Sequence, residues 1–297
     1  MSRELIFEGV RDFDCDHIFD CGQCFRWYRE EDGSYTGLAG GALANVAFEP
    51  HDRDAAPGFS EGTVRVRVIA GPEDAEDPAL WSRYLDLGRD YGAIKARLSA
   101  DDPVMEEAAA AGSGIRILDQ DLWETIVSFI ISQNNNIPRI KGCIERLADG
   151  FGEPLEGAEG ARGQRALILK TLPGPERLAG LEAEDLAPVR LGYRAKYLVE
   201  TARCVAEKGL PRNMEELSSL CGVGPKVANC IALFGMGKRD SFPIDVWVRR
   251  VMAKCYGFDE GDMKGMAGFA RSRYGELGGY AQQYLFYYIR GLDEKNR

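Results

Sequence analysis

The stretch Met214-Glu-Glu-Leu-Ser-Ser-Leu-Cys-Gly-Val-Gly-Pro-Lys-Val-Ala-Asn-Cys-Ile-Ala-Leu-Phe-Gly-Met-Gly237 reads as helix, glycine turn, helix. Met214 to Leu220 can form a short helix, and Cys221-Gly222-Val223-Gly224 a tight turn. Pro225 suits the first position of a second helix, where its φ is already set and it has no N–H to lose. Val227, Ile231 and Phe234 recur at helical spacing and give that helix an apolar stripe. Such a hairpin leaves backbone N–H groups unpaired at a helix N-terminus, and its glycines let another backbone come close. Gly222, Val223 and Gly224 are therefore a candidate seat for one phosphate of a nucleic-acid backbone. A bare Gly-x-Gly is more often an ordinary helical hairpin, so the turn alone leaves both readings open.

Lys226 follows the turn directly. A lysine at the positive end of a helix works against local stability. The same field, with partial burial, is expected to lower its pKa and free the amine for nucleophilic attack. A surface lysine touching phosphate is the plainer alternative. Nineteen residues later, Phe242-Pro243-Ile244-Asp245-Val246 puts Asp245 at an N-cap position before a helix bearing Val251 and Cys255. Capping is the ordinary use of such a carboxylate. Arg249, Arg250 and Lys254 on that helix are either a solvated face or a phosphate-facing one.

Farther out, 297 residues are enough for two domains with real cores. Near the N-terminus, Phe25 and Trp27 alternate with Cys24, Arg26 and Tyr28, and Asp32-Gly33 is a hairpin-turn signal. Val64, Val66 and Val68 alternate with Arg65 and Arg67, so residues 1 to about 70 read as an antiparallel meander with one covered face. From Asp77 the pattern turns helical. Asp121 and Glu124 resemble a capping box that opens a helix from Leu122 to about Ser132, apolar nearly all round and so expected at a domain centre. After Gln133-Asn-Asn-Asn136 comes a second helix, with Pro138 in its first turn, Ile140, Ile144 and Leu147 on one face, and Gly150 as its stop. Loops are expected at 50–61, 152–163 and 173–175. The expected class is α+β: an N-terminal antiparallel β-sheet domain over 1–112, then an all-α domain over 113–297 with its hairpin at 214–237.

Composition narrows the chemistry. The 37 Lys+Arg against 47 Asp+Glu give a net charge of −10, ordinarily an argument against a nucleic-acid partner. Between Arg190 and Lys254, however, 12 basic residues face 6 acidic ones, a local +6. Two histidines, His17 and His51, cannot complete a zinc site with the Cys21/Cys24 pair, and a histidine-based triad is equally poorly supplied. No metal and no cofactor are expected; lysine, carboxylates and amides remain. The longest apolar run, Ile126 to Ile131 broken by Ser128, is far short of the ~20 residues that span a bilayer. The start, Met-Ser-Arg-Glu, lacks a signal peptide's apolar core, so a cytoplasmic chain with eight free thiols and no membrane partner is expected.

Taken together, Gly222-Val223-Gly224, Lys226 and Asp245 resemble the helix–hairpin–helix DNA glycosylase superfamily, and a lysine at that place points to its bifunctional glycosylase/lyase branch. Four further segments resemble the 8-oxoguanine DNA glycosylase family. Cys21-Gly-Gln-Cys-Phe-Arg-Trp27 is similar to its Ser-Gly-Gln-Ser-Phe-Arg-Trp element, and Gln133-Asn-Asn-Asn-Ile-Pro-Arg139 to its Asn-rich loop. Leu191-Gly-Tyr-Arg-Ala195 is similar to its Gly-Tyr-Arg wedge, and Gln282 with Phe286 to its Gln-x-x-x-Phe pair. The matches run in order from residue 21 to 286. Cys221 departs from the usual Pro, and cysteine replaces serine at 21 and 24 in an element that binds no metal. Trp247 stands where some members have His, and none of the four C-terminal cysteines of the iron–sulfur relatives follows Cys255.

The resemblance implies a monomer acting on double-stranded DNA that contains an oxidised purine. The target base must leave the stack, at a cost of a few kcal/mol. Asn134 would fill the vacancy, Tyr193 would wedge the duplex, and Arg139 and Arg194 would read the cytosine left behind. Gln282 would bond the Watson–Crick edge of the flipped base, between Cys230 and Phe286. Oxidation turns the purine N7 from acceptor to N–H donor, and the Gly22 carbonyl would read that proton. Facing undamaged guanine, the same carbonyl would leave two acceptors unsatisfied, at ~1–3 kcal/mol. Lys226 would attack the sugar and form a Schiff base open to β-elimination, with Asp245 ionised beside it. A glycosylase/lyase for another oxidised base, or a non-catalytic helix–hairpin–helix DNA-binding protein, are the alternatives.

Overall fold

Alternation decides the first third of the chain. Val64, Val66 and Val68 are buried on one face of their strand, while Arg65 on the other pairs with Glu49 at 2.9 Å and Glu4 at 3.3 Å. The structure is a computed structural model that describes residues 4–155, 157–158 and 169–295. Five strands, β1 (Glu4–Val10), β2 (Trp27–Arg29), β3 (Tyr35–Ala39), β4 (Ala42–Pro50) and β5 (Gly62–Ala70), form one antiparallel sheet in the order β1-β5-β4-β3-β2. β2 to β5 are the expected meander, and β1 returns to pair with β5 at the far edge. Phe25 lies outside β2, which is shorter than the alternation implied. Gly33 turns the β2–β3 connection at φ +85°, with its N–H on the Glu30 carbonyl at 3.1 Å. Helices α1 (Cys15–Phe19) and α2 (Pro78–Tyr84) contribute Ile18, Phe19 and Trp81 to the core of this sheet.

The remaining helices are α3 (Tyr91–Ser99), α4 (Pro103–Ala111), α5 (Leu122–Ser132), α6 (Ile137–Phe151), α7 (Pro175–Ala179), α8 (Arg194–Lys208), α9 (Met214–Ser219), α10 (Pro225–Gly235), α11 (Val246–Tyr256), α12 (Met263–Tyr274) and α13 (Gly278–Lys295). α5 is the centre of this second core, with Ile126, Val127, Ile130 and Ile131 fully buried, as its uniform apolarity requires. Asp121 caps it through the Glu124 N–H at 2.8 Å, without a reciprocal bond from the Glu124 side chain among the described residues. Tyr91, Ile94, Met105 and Ala108 of α3 and α4 also join the helical core, while Leu118, later in the chain, packs with the sheet core.

One expected boundary moves. Gly150 lies inside α6, and the helix stops at Gly152, whose N–H bonds to the Ala148 carbonyl at 2.8 Å. A side chain at 152 would run into the Thr171 carbonyl, whereas one at 150 meets nothing within 4 Å. The stop is thus set by a crossing segment. Of the expected loop at 152–163, residues 156 and 159–163 lie outside the described residues. Sheet and helices are joined by Arg26, which is 2% exposed and reaches Glu145 of α6 at 3.1 Å and the Lys170 carbonyl at 2.7 Å. Among the described residues, no helix is long and apolar enough to cross a membrane.

Candidate active site

The turn between α9 and α10 closes through the Val223 N–H on the Leu220 carbonyl at 3.1 Å. Gly222 sits at φ +77°, and a Cβ there would lie 2.5 Å from the Tyr197 ring of α8. Thr201 of α8 holds the same turn by donating to the Cys221 carbonyl at 3.0 Å. Gly224 differs: it heads α10 without a side-chain cap, and a Cβ added to it would meet nothing within 4 Å. Ala228 bonds back to the Gly224 carbonyl at 2.9 Å, so the N–H groups ahead of it face an open surface. Gly222→Ala is therefore expected to cost about 1–3 kcal/mol by overpacking. Gly224→Ala should cost about 1 kcal/mol or less as a changed cap, yet weaken duplex binding. Urea midpoints and gel shifts of the two variants separate these; equal loss of stability would contradict the open face.

Lys226, in the first turn of α10, extends over the Phe129 ring of α5, with Nζ 5.6 Å from its centroid. Its amine shares a hydrogen bond with Cys230, one helical turn onward and 4% exposed. Burial works to lower the pKa of this amine, but the Cys230 sulfur and the Asp245 carboxylate outweigh it and hold the group above its ordinary value. The lowered pKa expected from the helix end is therefore corrected: the groups facing the amine outweigh its burial, and the shift is upward. Asp245 is the N-cap of α11, and its Oδ1 accepts from the Trp247 N–H at 3.0 Å and the Val248 N–H at 2.8 Å. Burial raises its pKa, opposed by those N–H groups and by Lys226. Both capping bonds use one oxygen, and the second takes part in neither. A half-buried carboxylate with raised proton affinity, whose charge acts on the Lys226 amine, is suited to take the proton that attack requires.

Gly22 and Phe286 meet across the sheet–helix boundary. Gly22 has φ +79°, and a Cβ there would lie 3.4 Å from Cε1 of the partly buried Phe286. One turn before Phe286 on α13, Gln282 is 5% exposed, and its Oε1 has no hydrogen-bond partner. A buried amide oxygen left unpaired costs about 1–3 kcal/mol, which a bound donor would recover. Gln282→Met, similar in shape without the orphan acceptor, should hold or raise DNA-free stability while excision falls. A variant that loses stability and activity in step would contradict a ligand-facing Gln282.

The Asn-rich loop joins α5 to α6. Asn134 is exposed at φ +45°, and Asn136 caps α6 through the Arg139 N–H at 3.0 Å, which leaves the Arg139 side chain exposed. Tyr193 is 52% exposed, with its ring 5.6 Å from Tyr197. Arg194 is 4% exposed, and its guanidinium donates to the carbonyls of Gln133 at 2.7 Å, Asn134 at 2.8 Å and Leu191 at 3.1 Å. Through these bonds Arg194 braces the loop that carries Asn134. The structure thus joins Lys226, Cys230 and the Asp245 charge, and separately Gly22 with Phe286. Asn134, Arg139 and Tyr193 form the exposed edge. Phe129 and Tyr197 were missed: at helical spacing each looks like any other core aromatic.

The Cys21 and Cys24 thiols are buried and donate to the Ile18 carbonyl at 3.2 Å and the Phe19 carbonyl at 3.7 Å. Burial pushes Cys21 up to about 11 and Cys24 well above its ordinary value, so both are protonated and poor ligands.

Comparison with known proteins finds two family models in succession. Residues 5–126 match the 8-oxoguanine DNA glycosylase N-terminal domain, and residues 127–274 the HhH-GPD superfamily of base excision DNA repair proteins. A probable N-glycosylase/DNA lyase of Methanothermobacter thermautotrophicus is 33% identical over 219 residues, 64% of this chain and 68% of that protein. The N-glycosylase/DNA lyase OGG1 of Arabidopsis thaliana is 29% identical over 90% of this chain and 75% of its own. Among solved structures, MBOgg1 in complex with a low-affinity DNA ligand superposes with a TM-score of 0.85 at 41% identity, covering 99% of both chains. The Clostridium acetobutylicum 8-oxoguanine glycosylase/lyase, bound to duplex DNA with cytosine opposite 8-oxoG, superposes with a TM-score of 0.83 at 37% identity, covering 99% of this chain and 98% of that one.

Proposed function

As the chain belongs to the 8-oxoguanine DNA glycosylase family of base excision repair, and is a DNA N-glycosylase with AP lyase activity, we propose that it excises 8-oxoguanine paired with cytosine through Lys226. The observation that carries this reading is the Lys226 amine held between Phe129, Cys230 and the charge of Asp245, at the head of a hairpin open to a phosphate.

Asp245 relays a proton from the ammonium to the departing base, and so is a carboxylate again as the sugar becomes cationic. The neutral amine attacks C1′ of the sugar, the glycosidic bond breaks, and its electron pair leaves with the base. The remaining Asp245 charge stabilises the cationic sugar as it forms. Ring opening gives a Schiff base to Lys226, from which loss of a C2′ proton expels the 3′ phosphate. Gln282 bonds the pairing edge of the flipped base, Phe286 and Cys230 enclose its faces, and the Gly22 carbonyl accepts the N7 proton. On the duplex side Asn134 enters the vacancy, Tyr193 wedges and Arg139 reads the cytosine, with Arg194 holding the loop. Duplex DNA is the partner, the unit is a monomer and no cofactor takes part.

The test is strand cleavage of duplexes carrying 8-oxoguanine opposite each normal base, beside one with an oxidised pyrimidine. Cleavage fastest for 8-oxoguanine opposite cytosine is expected. Faster action on the pyrimidine would shift the substrate class, and a gel shift without cleavage would leave only a DNA-binding protein.

A further inference from the structure

The loop that carries Gly22 is clamped carbonyl by carbonyl. Arg290 of α13 donates to the Asp20 carbonyl at 2.7 Å. Gln283, 2% exposed on the same helix, donates from Nε2 to the Cys21 carbonyl at 3.0 Å. Gln120, just before α5, donates to the Gln23 carbonyl at 2.8 Å. The Gln23 side chain fastens the far side: it donates to the Ile18 and Arg116 carbonyls at 2.9 and 2.8 Å and accepts from the Leu118 N–H at 2.9 Å. Of the four successive carbonyls from Asp20 to Gln23, that of Gly22 alone receives no donor among the described residues.

We propose that Gln283, Arg290 and Gln120 are positioning residues for lesion discrimination, which fix the loop so that the Gly22 carbonyl is its one free acceptor. The inference rests on the reading that Gly22 accepts a proton from the flipped base. A hydrogen bond weakens steeply with angle, and a carbonyl that can rotate toward another donor loses its preference for a purine bearing N7–H. Three side chains pulling on the neighbouring carbonyls remove that freedom. Gln283 and Arg290 also share α13 with Gln282 and Phe286, so one rigid helix sets both the pocket wall and the reading carbonyl. Gln283 and Gln120 act through the loop, and Arg290 acts through it while lying over the Phe286 ring at 5.9 Å.

The test uses the Lys226→Gln chain, which holds DNA without turning it over, and three duplexes with cytosine opposite 8-oxoguanine, guanine or a tetrahydrofuran abasic analogue. Adding Gln283→Met removes the donor and keeps the volume. Affinity for the 8-oxoguanine duplex should fall about tenfold, while the guanine and abasic duplexes stay within about twofold, because neither offers an N7 proton. Arg290→Met should act in the same direction, and Arg290→Lys, which retains a donor, should restore the preference. An equal loss on all three duplexes would mean general damage to the fold, and unchanged 8-oxoguanine affinity would mean no positioning; either overturns the inference. A parent chain without preference for 8-oxoguanine over guanine would instead sink the proposed substrate, whatever the second substitutions do.

Discussion

Lys226→Gln is expected to abolish covalent trapping by borohydride and to slow base release on the order of 10³-fold or more, the scale seen when a nucleophile is lost from a site that keeps its other groups. Damage-specific binding should survive, since glutamine still lies over Phe129 and leaves Gln282, Phe286 and Gly22 in place. Removing the ammonium also removes its attraction to Asp245 and Cys230, which outweighs the cost of its burial, so the melting temperature should be unchanged or slightly lowered. Single-turnover base release and binding to an 8-oxoguanine duplex measure the two effects. Binding lost in proportion to excision would make Lys226 a phosphate contact rather than a nucleophile.

Asp245 poses a sharper question, because the structure gives it an ordinary role as well. Its Oδ1 caps α11, and asparagine can accept the same two backbone N–H bonds. Asp245→Asn should therefore change stability by less than about 0.5 kcal/mol. It removes the negative charge beside the forming cationic sugar and should slow base release about 10²–10³-fold, the scale of losing one preorganised electrostatic group. Asp245→Ala should lose the catalytic contribution and the cap together, adding about 1 kcal/mol of destabilisation. Chemical denaturation beside single-turnover kinetics resolves the pair. If Asn retained full activity and only Ala were slow, capping would account for the residue.

Local rules make much of this legible in the sequence. The hairpin, α5 and the Asp245 cap follow from residue spacing within a turn or two, and that scale is governed by helix periodicity and capping. Features made by segments distant in sequence were not legible. One is the meeting of α8 with the carbonyls of residues 133 and 134 through Arg194, which nothing local shows. The direction of the Lys226 shift did not follow from the helix end alone, because Cys230 one turn onward and Asp245 from another helix together outweigh burial. Gly150 had the better stop signal in sequence, yet Gly152 ends α6 because Thr171 passes there. The net charge of −10 misled for a similar reason, as an average that hides a +6 segment containing α8 and the hairpin.

The most direct test of the account is to map the covalent intermediate. The unmodified chain would be incubated with a duplex carrying 8-oxoguanine opposite cytosine, reduced with borohydride, digested, and the modified peptide sequenced by mass spectrometry. A single sugar-bearing site at Lys226 is the predicted result. A sugar remnant on any other amine, or strand cleavage with no covalent adduct, would contradict it.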